Sequence, residues 1–182
     1  MILPIYLYGH PILRKKTSEI TMDYPDLQEL INNMFETMYH DQGVGLAAPQ
    51  VGKPIRLFVV DTAPYQEAYP ESEIFKGIFI NPLIEEEFGD DFIFNEGCLS
   101  IPEIHADVTR KSEIRISYLD ENGTQQRKSF KGITARVIQH EYDHLEGRIF
   151  IDHLPPLKKM VLKRKLTDIS TGKNKPFYKS IN

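Results

Sequence analysis

Apolar side chains recur at helical spacing in three stretches of the chain, and each stretch predicts an amphipathic helix. The first covers residues 25–40, the second lies between Thr134 and Gly147, and the third begins at Pro155. Thr134 is a plausible N-cap of the second helix, and Gly147 stands where helices commonly end. The residues expected to face inward from the first and third helices are Leu27, Leu30, Ile31, Met34, Met38 and Tyr39, and Leu157, Met160, Val161, Leu162 and Leu166.

The segments between these helices show strand patterns instead. Short apolar runs at 55–60, 77–84 and 91–94 predict strands, with turns or loops between them. Polar and apolar residues alternate through 113–120, as in a half-buried strand, and a turn signal allows 124–130 to return as a hairpin. Because the strands mostly come without intervening helices, the pattern predicts an α+β fold with small mixed or antiparallel sheets around the middle helix.

Length and composition favour a single globular unit. The chain has 182 residues, of which 41% are hydrophobic and 26% charged. We expect one domain over residues 1–168 and a disordered C-terminal tail over residues 169–182. No apolar run approaches the ~20 residues that a membrane helix needs, and the first residues lack the pattern of a signal or transit peptide. A cytoplasmic protein without membrane contact is the simplest expectation.

The middle helix carries the strongest chemical signal, the sequence HEYDH at 140–144. His140 and His144 lie four residues apart, so a helix places both imidazoles on one face. Two such imidazoles can be two of the three protein ligands of an open catalytic metal site. Glu141 lies next to the first histidine and could handle a proton of a water molecule that the metal activates. The alternative is a surface helix that carries two histidines by chance.

Cys98 is the only cysteine, so no intramolecular disulfide is possible. A lone cysteine is often a small buried apolar side chain. Here it lies in NEGCLSIP (95–102), among turn-forming residues and not within an apolar strand. Its thiolate could complete a site of two histidines and one cysteine that leaves a fourth position for water.

Residues 43–50, GVGLAAPQ, predict a loop in which small residues let the backbone approach a ligand closely. The segment fits neither common glycine-rich phosphate-binding pattern. Gln50 supplies a neutral amide donor that could stabilise a developing oxyanion, although it could equally tie down the loop.

Taken together, GVGLAAPQ (43–50), EGCLS (96–100) and QHEYDHL (139–145) resemble the three signatures of the peptide deformylase family, in the family order. GHPILR (9–14) also resembles the opening pattern of the family, and the resemblance covers residues 1–166. It implies a peptide deformylase-like α+β fold and the metal-dependent hydrolytic removal of the formyl group from N-formylmethionine on new polypeptides, with release of formate.

The resemblance also implies specific roles for individual residues. It implies that Cys98, His140 and His144 are the metal ligands and that Glu141 is the general base and then the general acid. The metal in the family is usually Fe²⁺, and Zn²⁺, Ni²⁺ or Co²⁺ can occupy the site. The same resemblance implies that Gln50 and the backbone N–H of Leu99 stabilise the oxyanion.

Recognition of the substrate is expected to combine apolar and backbone contacts. We expect the methionine side chain to lie near Val44, Leu99, Ile133 and Val137, since a flexible thioether suits an apolar pocket. Gly45 and Gly97 are candidates for backbone hydrogen bonds to an extended peptide.

Charge is distributed unevenly along the chain. Residues 155–182 carry eight Lys or Arg and one Asp, a net charge of +7, whereas the whole chain has −4. A basic tail could simply be solvated, or it could meet an anionic partner. Because family members meet nascent chains at the ribosome, we hypothesise that Lys158, Lys159, Lys163 and Arg164 contact ribosomal RNA. Nothing in the sequence predicts specific DNA binding.

Two other interpretations remain open on the sequence. An HExxH metallopeptidase would cleave peptide bonds, but the last histidine of the extended metzincin pattern is replaced by Phe150. A non-enzymatic module with a structural zinc would need four protein ligands, and Cys98, His140 and His144 supply three.

Overall fold

The computed structural model describes all residues from Met1 to Asn182. The chain forms three helices, α1 (Leu27–His40), α2 (Gly132–Leu145) and α3 (Pro156–Ser170). Its strands are β1 (Ile5–Tyr6), β2 (Gly45–Ala47), β3 (Leu57–Asp61), β4 (Lys76–Cys98), β5 (Ile101–Leu119), β6 (Gln125–Lys131) and β7 (Ser180–Ile181). Antiparallel strands in the order β2-β3-β4-β5-β6 form the main sheet, so the predicted α+β class is confirmed.

The strands β4 and β5 form one long hairpin, which differs from the prediction. The segments 77–84 and 91–94 belong to a single strand, and the acidic residues between them stay in the sheet. Cations on β5 lie opposite this acidic stretch, with Arg115 paired to Glu86 at 2.6 Å and Lys111 to Asp91 at 2.9 Å. Several register shifts interrupt the pairing of the two strands, and such irregularities bend and twist a hairpin.

The helix α2 packs on the sheet through the apolar stripe that its sequence predicts. The predicted stripe consists of Ile133, Val137, Ile138 and Leu145, and all four are buried. Three of them, Val137, Ile138 and Leu145, join Ala135 in a cluster with apolar residues of β2 to β6. The helix begins at Gly132, two residues before the predicted cap. The Thr134 hydroxyl instead donates to the Glu73 carbonyl at 2.7 Å.

The predicted buried faces of α1 and α3 are only partly correct. On α1 the side chain of Tyr39 is exposed, and its hydroxyl donates to Asp61 at 2.6 Å. On α3 Leu157, Met160 and Val161 are exposed, and only Leu166 and Ile169 are buried. The first half of α3 therefore does not reach the core, and its apolar residues face outward between lysines.

No helix in the structure has both the length and the apolar character needed to span a bilayer.

The last residues of the chain pack against the body, which corrects the prediction that residues 169–182 are disordered. The strand β7 pairs in parallel with β1, with Ile5 opposite Ser180 and Tyr6 opposite Ile181. The side chain of Tyr178 is buried. Backbone pairing and the burial of Tyr178 hold this segment in place. Its polar and basic composition did not indicate either contact. The single catalytic domain over residues 1–168 stays a prediction.

Candidate active site

Two distant parts of the chain bring three potential metal ligands together. The helix α2 presents His140 and His144 one turn apart, with ring centroids separated by 5.2 Å. Cys98 ends β4, where the chain turns into β5. The donor atoms of the three residues all lie within 4.8 Å of one another, and Cys98 Sγ lies 3.4 Å from His144 Nε2. These three residues could hold one metal ion.

The chemistry of the three side chains fits a divalent transition metal. Burial lowers the pKa of His144 to about 3, which favours the neutral ring that binds metal. Burial acts in the same direction on His140, but Cys98 and Glu96 raise the pKa of that ring above its usual range. Nδ1 of His144 is buried without a hydrogen-bond partner. A thiolate with two imidazoles suits iron, zinc and similar ions, and three protein ligands are typical of catalytic sites.

Glu141 lies beside this group as a buried carboxyl group with a free oxygen. The residue is 4% exposed, and Oε2 has no hydrogen-bond partner. Burial raises the pKa of Glu141 to about 7. A Cβ atom at Gly45 would come within 2.4 Å of Glu141 Oε1, so a larger residue there would displace the Glu141 side chain. A partnerless buried carboxyl group is costly to stability and is typical of a group retained for chemistry.

Gln50 holds its loop and also points an amide N–H at the site. Its Oε1 accepts a hydrogen bond from the backbone N–H of Ala47 at 2.9 Å. Its Nε2 lies 3.4 Å from Cys98 Sγ and 3.2 Å from Ser100 Oγ. The amide oxygen therefore ties down the loop, while the amide nitrogen faces the site, where its role as an oxyanion donor stays a prediction.

A buried ionic network supports His140 from behind. Glu96 Oε2 lies 2.8 Å from His140 Nδ1, which leaves Nε2 of that ring to face the site. Arg110 donates to Glu96 at 2.7 Å and to Asp143 at 2.7 Å, and Arg136 also donates to Glu96 at 2.8 Å. Although burial alone would raise the pKa of Glu96, its hydrogen bonds with His140 and Arg110 hold that pKa well below its usual range.

Sequence reasoning assigned no role to Glu96, Arg110, Arg136 or Asp143. Glu96 and Asp143 lie inside the motifs EGCLS and HEYDH, and their acidity beside a candidate ligand was a usable signal. Arg110 lies in β5 away from every motif, so only the fold shows that it joins the two carboxylates.

The site opens into a cavity of about 810 Å³. Cys98, His140, Glu141 and Gln50 line it, but His144 does not. Among the residues predicted to contact substrate, Val44, Gly45, Gly97, Leu99 and Val137 line the cavity. Ile133 is fully buried and does not line it. One turn before His140, α2 contributes Arg136 and Val137 to the lining of the cavity.

Comparisons with known proteins agree with the fold and identify the family. A family model described as "Polypeptide deformylase" matches residues 2–160. A peptide deformylase of Christiangramia forsetii is 53% identical over 186 residues, covering 98% of this chain and 95% of the relative. A crystal structure of a peptide deformylase from Legionella pneumophila has a TM-score of 0.82 at 36% identity, covering 97% of this chain and 100% of that one.

A further solved structure was obtained with Met-Ala-Ser bound. It is a class I type b peptide deformylase from Acinetobacter baumannii, with a TM-score of 0.79 at 32% identity, covering 85% of this chain and 99% of that one. These matches support the deformylase interpretation over an HExxH metallopeptidase. The chain therefore belongs to the peptide deformylase family, whose members are metal-dependent hydrolases that remove the formyl group from N-formylmethionine on new polypeptides.

Proposed function

We propose that Cys98, His140 and His144 hold the metal ion of this deformylase and that Glu141 moves the proton during hydrolysis. The observation that carries the proposal is the clustering of the three donor atoms within 4.8 Å, beside a buried carboxyl group with a partnerless oxygen. A divalent ion held there supplies a Lewis acid that polarises the formyl carbonyl and lowers the pKa of water.

The residues of the chain then divide the chemistry among them. Glu141 accepts a proton from the attacking water as the water oxygen bonds to the formyl carbon. The Gln50 amide and the backbone N–H of Leu99 donate to the formyl oxygen as negative charge develops on it, and one such donor is typically worth about 3–4 kcal/mol. Glu141 then delivers the proton to the amine nitrogen as the C–N bond breaks, which gives formate and a free amino terminus.

The cavity supports a substrate position in which the methionine side chain lies near Val44, Leu99 and Val137. Gly45 and Gly97 can offer backbone hydrogen bonds because neither carries a side chain that would block the peptide. A Cβ at Gly97 would come within 2.5 Å of the His105 ring, so the backbone is closely packed there. Ile133 is buried and is not part of this proposal.

We propose Fe²⁺ as the ion bound in the cell, with Zn²⁺, Ni²⁺ or Co²⁺ able to replace it. Protein purified without oxygen is expected to contain about one iron ion per chain, since a thiolate with two imidazoles suits iron. The Cys98→Ala variant should lose most of that iron, because it keeps only two ligands. The measurement is elemental analysis of both proteins, with activity followed during exposure to air. Zinc as the main metal in anaerobic preparations would contradict the iron proposal.

We also propose that α3 docks on the ribosome, and that the protein therefore acts in the cytoplasm, where formylated nascent chains emerge. Lys158, Lys159, Lys163 and Arg164 are all exposed on this helix. Replacing the four by alanine is expected to weaken co-sedimentation with ribosomes, and the remaining binding should depend less on salt. A matched control replaces four exposed lysines elsewhere, Lys15, Lys53, Lys128 and Lys131. Equal binding by the two quadruple variants would refute the assignment to α3.

A further inference from the structure

We propose that the C-terminal segment Lys175–Tyr178 forms a wall of the peptide-binding cleft and that Phe177 contacts the side chain that follows formyl-methionine. This inference deepens the substrate position proposed above and rests on it. The segment lies beyond residues 2–160, the part of the chain that the family model matches. Residues 175 to 178 nevertheless line the same cavity as Cys98, His140 and Glu141.

The segment is fixed to the body on both sides of Phe177. Before it, the side chain of Asn174 donates to Glu103 at 3.0 Å. After it, β7 pairs with β1, and the backbone N–H of Ile5 donates to the Lys179 carbonyl at 2.9 Å. Chain ends are usually mobile unless they are held in this way. The backbone on both sides of Phe177 is therefore held in place.

Tyr178 connects this segment to the catalytic loop directly. Its ring is buried, and its hydroxyl donates to the carbonyl of Leu99, next to Cys98. Phe177 lies edge-on to the Tyr178 ring, with centroids 5.2 Å apart. The side chain of Tyr178 thus joins the Leu99 backbone, which we propose to hold the oxyanion, to the residue next to Phe177.

Phe177 is the most exposed of the large apolar residues, at 80%. Exposed aromatic rings in a cleft are typical of binding surfaces, because they offer a large apolar area with few rotatable bonds. The occupant follows from the reaction. The formyl group must lie beside the proposed metal ligands Cys98, His140 and His144. From there an extended peptide advances roughly 3.3–3.6 Å per residue. The methionine lies near Leu99, so the side chain of the next substrate residue lies at the segment Lys175–Tyr178. There the apolar ring of Phe177 favours an apolar substrate side chain.

The test compares formyl-Met-Leu-Ser with formyl-Met-Gly-Ser as substrates of the metal-loaded full-length protein. In the Phe177→Ala variant, the ratio of kcat/KM for the Leu peptide to that for the Gly peptide is expected to fall about five- to tenfold, mostly through KM. The Phe177→Leu variant should keep most of the ratio because it keeps an apolar side chain. The Leu83→Ala variant, which removes an exposed apolar residue outside the cavity, should leave the ratio unchanged.

A ratio in Phe177→Ala that stays within about twofold of that of the parent protein would overturn the proposal, since an apolar contact of this size is worth more than that. Equal losses with both peptides give the same unchanged ratio and count against it in the same way. Preference for formyl-Met-Gly-Ser over formyl-Ala-Gly-Ser is measured in parallel. A weak preference there would contradict the methionine position near Val44 and Leu99, whereas a strong preference with an unchanged Leu-to-Gly ratio would contradict the Phe177 contact alone.

Discussion

Replacing Glu141 by glutamine is expected to lower kcat for formyl-Met-Ala-Ser about 10³-fold, within the range of general acid–base groups. The amide keeps the size of the side chain but can neither accept the proton from water nor return it to the leaving amine. Glu141→Ala should lose at least as much activity. Both variants should keep their metal, because the three proposed ligands are untouched. Formate release and metal content, measured on the same samples, test this expectation.

The same variant should be no less stable than the parent protein, which separates a catalytic loss from misfolding. Glu141 Oε2 is buried without a hydrogen-bond partner, so the carboxylate destabilises the folded protein. Replacing it by a neutral amide removes the cost of burying that charge. Glu146→Gln is the matched control, since Glu146 follows the same helix but pairs with Arg56 at 2.7 Å. That control should keep kcat within about twofold and lose a little stability. Glu141→Gln with metal bound and more than a tenth of the parent kcat would contradict the proposed proton transfer.

The sequence predicted that Cys98, His140 and His144 come together, because local geometry settles the positions of the two histidines. The spacing of His140 and His144 on a helix with a continuous apolar stripe brings the two rings together whatever the rest of the fold does. Cys98 was linked to them through its unusual surroundings and through the family resemblance, and the fold brings its sulfur to 3.4 Å from His144 Nε2.

Long-range pairing explains what the sequence did not predict. The acidic stretch between the two short predicted strands looked like a turn, but cations across the hairpin keep it in β4. The apolar residues at the start of α3 had the spacing of a buried face, yet no element covers them. The tail looked disordered from its composition, and its order depends on a strand, β1, at the other end of the chain. None of these outcomes is encoded within a window of neighbouring residues.

Replacing Arg110 by methionine is expected to destabilise the protein by about 3–5 kcal/mol, the cost typical of breaking a buried ion pair. Arg110 is buried and bridges Glu96 to Asp143, with 2.7 Å contacts to each. Without its charge, two buried carboxylates keep only partial compensation, from Arg136 and from His153. A loss of this size should lower the melting temperature by about 6–20 °C for a chain of this length.

Arg115→Met provides the matched control, because Arg115 lies on the same strand and its partner Glu86 is half exposed. An exposed pair of this kind contributes about 0–1 kcal/mol, so the control should unfold close to the parent protein. Denaturant titration of both variants, each with and without metal, separates two effects of the network. Arg110 holds Glu96, and Glu96 in turn orients His140. If that orientation depends on Arg110, added metal should stabilise Arg110→Met less than it stabilises Arg115→Met. Equal stability of the two variants would show that the buried bridge through Arg110 stabilises the protein no more than the exposed pair of Arg115 and Glu86.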